Sequence, residues 1–148
     1  MQFIPYNEAK TLLELGYKAE TNYNPGEASY TPYSFWIEQE GKEPRLSSLT
    51  RPARELLFPA PTLTPAPTWR QAFRWFREQH KLDSYARQFT WLEHSDFGKF
   101  YFRIEQMEQV DKDEDLKDFS AFKDSYEEAE LACLHKLIEI IKEKTKQA

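Results

Sequence analysis

The sequence predicts an α+β domain, a small antiparallel sheet of about three strands packed by helices and closed by a long C-terminal helix. Three observations predict it. Apolar residues recur at helical spacing from Tyr126 to Ile141, polar and apolar residues alternate in "YSFWIEQ" and "KFYFRIEQM", and these segments are interleaved with shorter helical stretches. A chain of 148 residues fits a single domain, 1–148. Twenty-three aromatics with 30% charged residues describe a folded, aromatic-rich protein rather than a disordered one.

The first helix is expected over "EAKTLLEL", with Asn7 as N-cap and Gly16 as the left-handed residue that stops it. Ala9, Leu12 and Leu13 would share its buried face. Asn24-Pro25-Gly26 marks a turn in the loop that follows. In "YSFWIEQ", Tyr33, Phe35 and Ile37 face one side of a strand, and "EGKEPR" ends it. A short helical piece around "RPARELLF" carries Pro52 in its first turn.

Residues 59–67 hold four prolines, Pro59, Pro61, Pro65 and Pro67, which favour extended polyproline backbone and forbid a central strand. This segment is expected as an ordered strap between an N-terminal helix/strand part and a C-terminal helix-hairpin-helix part. A semi-rigid linker is the alternative. Next, Thr68 and Gln71 form a capping box for the helix "PTWRQAFRWFREQH". "RQFTWLEH" and "KFYFRIEQM" are expected as strands joined by "SDFG", with Gly98 at positive φ; Phe100, Phe102 and Ile104 would face the core. An acidic loop, "DKDEDLKD", then leads to a helix of about twenty residues capped by Ser125 with Glu128, its broad apolar side running from Tyr126 to Ile141.

Net charge is −5, divided as −3 over residues 1–50, +4 over 51–103 and −6 over 104–148. The basic centre concentrates in one helix. With Trp69 as origin and about 100° per residue, Ala72, Phe73, Phe76 and His80 fall within about 60° of it. Arg70, Arg74, Arg77 and Lys81 form a stripe on one flank and Trp75 lies on the other. Bases do not stack on a platform whose aromatics are separated from its cations, so a non-specific single-strand site is absent. The stripe could still follow a phosphate backbone, or meet the chain's own acidic final third. From residue 68 onward the order of elements is also that of a double-stranded-RNA-binding domain. Such a domain holds phosphate with lysines at the start of its last helix, where this chain has "SYEEAE".

Catalytic and metal-binding patterns fail on their own chemistry. Cys133 and His135 are two residues apart on a helix, about 200° around it, and cannot converge. The run Asp111, Asp113, Asp115 starts like a calcium loop but has Leu116 where the turn needs Gly and Phe122 where it needs Glu. Gly16, Gly26, Gly41 and Gly98 are too far apart for a phosphate loop. No catalytic residue, cofactor or metal is therefore expected. The start, "MQFIPYNEAK", has no basic, apolar leader, and with one cysteine and no membrane span the expectation is a cytoplasmic protein.

"AKTLLELGY" at 9–17, "APTWRQAFRWFREQH" at 66–80 and "SYEEAELACLHKLIEII" at 125–141 resemble a family of small phage- and prophage-encoded proteins of Bacteroides-type gut bacteria. The shared features are helix caps and stripes. The proline strap and the acidic insert are richer here than in the family pattern. The resemblance implies a mobile-element protein of a bacterial host and carries no activity, cofactor or catalytic residue with it. The expected role is non-enzymatic binding of another protein or of a second copy, with Trp36, Trp75 and Tyr101 as outward aromatics. The alternative is nucleic-acid binding through Arg70, Arg74, Arg77 and Lys81.

Overall fold

The computed structural model describes residues 3–18, 33–38, 41–49, 62–107 and 116–147. The expected turn at Asn24, the helical piece around 51–58, Pro59, Pro61 and the acidic residues 111–115 lie outside them. The fold is α+β, with two three-stranded antiparallel sheets where one was expected. The chain divides into two compact units, Gln2–Trp69 and Arg70–Ala148.

In the first unit, α1 spans Tyr6–Glu14. It starts one residue before Asn7, because Pro5, at φ −62° and ψ 158°, occupies the cap position, with no side-chain cap bond. Asn7 is already helical, and its carbonyl accepts the Thr11 hydroxyl at 3.0 Å. Ala9 and Leu12 are buried, whereas Leu13, expected beside them, is exposed. The C-terminal end closes as a Schellman turn: Tyr17 N–H donates to the Leu12 carbonyl at 2.9 Å and Gly16 N–H to that of Leu13 at 3.1 Å. Gly16 takes φ +103°, the left-handed conformation expected of it.

The sheet of this unit has the order β2-β1-β3, with β1 at Tyr33–Glu38, β2 at Arg45–Leu49 and β3 at Thr62–Pro65. Phe35 and Ile37 of β1 are buried, as the alternation requires. Strand β2, "RLSSL", has too little apolar alternation to be marked by the sequence. Within the proline-rich segment, Thr62–Pro65 forms an edge strand, Pro65 pairing with Phe35 at the side of the sheet where a missing N–H is tolerated. Its end is tied to the N-terminal segment: Ile4 N–H donates to the Pro67 carbonyl at 3.0 Å and Phe3 bridges Thr68. Ala66 and Pro67 are buried there.

The second unit runs α2 (Trp69–His80), β4 (Leu82–Gln88), β5 (Phe100–Gln106), β6 (Leu116–Lys123) and α3 (Tyr126–Gln147), with sheet order β4-β5-β6. Strand β4 begins at Leu82 and ends before Trp91, so "RQFTWLEH" is mostly loop. In β5, Phe102 and Ile104 are buried as expected. They pair with Ala86 and Ser84 of β4, small residues that leave room for α3, which packs on both strands. Strand β6 was not foreseen, since its first residues are part of the expected acidic loop. Helix α3 is capped as predicted, Glu128 N–H donating to Ser125 Oγ at 3.2 Å. Its inner side buries Ala129, Cys133, Leu134, Leu137, Ile138, Ile140 and Ile141. Each large aliphatic group there contributes about 1.5–3 kcal/mol. Tyr126, expected in that stripe, is exposed at the helix start.

Candidate binding surfaces

Helix α2 ends without glycine. Lys81 itself adopts φ +56°, and its carbonyl accepts the Met107 N–H at 2.9 Å, which turns the chain directly into β4. Ala72 and Phe76 are buried, while Phe73 and His80, expected with them, are half-buried. Of the basic stripe, Arg70, Arg77 and Lys81 are exposed and Arg74 is half-buried. No acidic group among the described residues forms an ion pair with Arg70, Arg77 or Lys81. Beside the helix end stands another cation. Burial, reinforced by the Lys144 ammonium, holds the His80 imidazole below its ordinary value of 6.5. The Lys144 ammonium of α3 thus acts on the C-terminal end of α2.

Three aromatics expected to face outward do not. Trp36 is half-buried, donates Nε1–H to the Ile4 carbonyl at 3.2 Å, and meets the Tyr6 ring edge-on at 6.1 Å. Trp75 is half-buried with its ring 4.9 Å from Phe76 and 4.7 Å from His80. Tyr101 is half-buried in an aromatic cluster with Phe89 and Phe122. Each ring covers its own unit's apolar surface, which the helical wheel and the strand alternation do not register.

Among the described residues, three of the most exposed large apolar side chains gather in the β4–β5 connection, where Trp91 is 63% exposed, Leu92 77% and Phe97 50%. Nothing in the sequence marked it: "TWLEH" read as strand, and a Trp-Leu pair reads as core. The loop is internally braced. Its base is closed by Phe89 N–H to the Lys99 carbonyl at 2.7 Å and Gly98 N–H to the Phe89 carbonyl at 2.9 Å, with Gly98 at φ +87°. Successive turns follow, His94 N–H to Trp91 O, Phe97 N–H to His94 O and Lys99 N–H to Asp96 O, all at 3.0–3.1 Å. His94 Nδ1 accepts the Asp96 N–H at 3.1 Å. Beneath the turns the rings of Phe89, His94 and Phe122 pack together, Phe89 lying 4.9 Å from His94 and 5.1 Å from Phe122. Trp91 leans on this base, its ring 5.5 Å from that of His94.

Cys133 is fully buried and His135 is exposed on the far side of α3. Burial pushes the Cys133 thiol up to about 12, Ser84 acting weakly the other way, so this sulfur is a core group rather than a nucleophile. No cluster of metal-ligating side chains occurs among the described residues, and none of their helices is long and apolar enough to cross a membrane.

The β4-β5-β6 sheet between two helices completes the element order of a double-stranded-RNA-binding domain, yet Glu127, Glu128 and Glu130 stand at the start of α3. At Glu130 burial raises the carboxyl above its ordinary range. The place where such a domain holds phosphate is anionic here. No family model, curated protein or solved structure matches the chain.

Proposed function

We propose that this protein is a non-enzymatic binding module whose contact surface for another protein is the β4–β5 tip. One observation carries the reading: three large apolar side chains, Trp91, Leu92 and Phe97, are held in solvent by a loop that hydrogen bonds and ring packing brace from within. Contact residues held in place before binding lose little conformational freedom when a partner arrives. Trp is also the residue type most often found to dominate binding energy. The resemblance to phage and prophage proteins supports an accessory role in a bacterial cytoplasm, and the neighbouring genes would identify the process.

The test is to isolate the partner with the wild-type chain and measure its affinity for Trp91→Ala and Leu92→Ala. Each substitution should weaken binding by 2 kcal/mol or more, about thirtyfold. A partner bound equally well by both variants would refute the tip as the contact.

A second reading rests on the exposed Arg70, Arg77 and Lys81, joined by Lys144 near His80. These could follow a nucleic-acid backbone. Gel shifts at low salt should then show binding that falls steeply as salt rises and disappears on charge reversal at Arg77 and Lys81. No shift at micromolar protein would remove this option.

A further inference from the structure

We infer that the β4–β5 tip is built to enter a protein cleft with an apolar floor and a cationic rim. This rests on the protein-binding reading above and names the chemistry of the partner. Shape, area and charge argue for it separately.

Trp91 and Leu92 stand open on a connection folded into successive turns at the end of the β4–β5 hairpin, which makes the surface a knob. Two knobs do not fit each other, and a second copy meeting tip to tip would form a poor contact. The apolar area that Trp91, Leu92 and Phe97 expose is roughly 400 Å². A stable interface buries about 800 Å² on each partner, so the tip laid on a flat surface supplies about half of what is needed. A cleft that surrounds the knob adds the missing area from the loop's flanks.

The charge of that cleft follows from the loop. Asp96 Oδ1 lies 3.3 Å from Lys99 Nζ, so this carboxylate is compensated within the turn. Glu93, next to Leu92 and exposed, is the charge in residues 90–98 that no opposite charge among the described residues meets. A partner that covers Trp91 and Leu92 must pass close to Glu93. Lysine or arginine on its rim would keep that carboxylate paired as water leaves; an acidic rim would strand it.

Apolar hosts of defined rim charge test this on the intact chain. With 5-fluorotryptophan at all four tryptophans and Trp91 assigned by Trp91→Phe, fluorine spectra are followed against amino-β-cyclodextrin, carboxymethyl-β-cyclodextrin and phosphatidylcholine vesicles. The Trp91 signal should move with the amino host at about fivefold lower concentration than with the carboxymethyl host. Glu93→Gln should erase that preference while leaving the fold unchanged. Equal response to both hosts, a preference for the carboxymethyl host, or movement with vesicles would overturn the inference. If Trp91→Ala nonetheless abolishes binding of an isolated partner, the tip remains the contact and only its charge preference is lost. If Trp91 responds to no host while another tryptophan does, the tip is not an accessible knob and both readings fail.

Discussion

The His94 imidazole holds Asp96 in place in the β4–β5 tip: its Nδ1 accepts the Asp96 N–H at 3.1 Å. Removing the ring also removes the floor on which Trp91 leans. We predict that His94→Ala lowers global stability by only about 1 kcal/mol, yet speeds amide exchange at Asp96 and Phe97 and weakens partner binding. Unchanged exchange at both amides would show that the ring does not brace the loop.

Cys133 should be chemically silent. With its thiol pushed up to about 12, a disulfide reagent at pH 8 should react on the order of 10³-fold more slowly than with an exposed cysteine. Urea should restore the ordinary rate. The same shift sets an alkaline limit. The folded thiol keeps its proton where the unfolded one, with an ordinary value of 9.0, has lost it. Its stabilisation is complete below pH 9 and lost as pH rises toward 12, at up to about 1.4 kcal/mol per unit. Cys133→Val should flatten that slope in urea titrations from pH 8 to 10.5.

His80 sets a limit on the acid side. Because burial and Lys144 lower its folded value, the unfolded chain takes up the proton first. Its contribution is full above pH 6.5 and falls as pH drops through the folded value. His80→Phe should reduce the stability lost between pH 7.5 and pH 5. Lys144→Ala should move the His80 titration upward in NMR spectra. A downward shift would contradict the proximity of the two groups.

Two left-handed residues predict opposite responses. An added Cβ at Gly16 meets no atom within 4 Å, so Gly16→Ala carries only the backbone cost, about 1 kcal/mol in urea unfolding. Lys81 already bears that cost at φ +56°. Lys81→Gly should therefore stabilise the protein by a comparable amount. A stability loss at Lys81→Gly would mean that its side chain does more than end the helix.

The parts of the fold readable from sequence are those set by local rules. Gly16 and Gly98 stand where the backbone must turn left-handed, Ser125 caps α3, and the faces of β1 and β5 follow strict alternation at Phe35, Ile37, Phe102 and Ile104. Strand β4 escaped because its inner residues, Ser84 and Ala86, are small to suit the helix above them, and so show little apolar contrast. Strand β6 escaped because the preceding acidic run reads as loop. For the candidate surfaces, the helical wheel separated the stripe Arg70, Arg77 and Lys81 from the ring of Trp75, since that division depends only on helix geometry. It could not show which aromatics stay wet. Trp36 finds the Ile4 carbonyl thirty-two residues away, and Trp91 sits on a loop whose shape is set by His94 and Gly98 rather than by its own neighbours.

Pro65 gives β3 a property beyond its place in the sheet. A strand at the side of a sheet offers unpaired backbone groups to any extended chain that passes, which is how one folded molecule recruits another into an aggregate. Pro65 brings no N–H to that row. This side of the sheet is thereby protected from misassembly without a charged residue at that position. Pro65→Thr should leave the fold intact while raising the rate of fibre formation on prolonged warming.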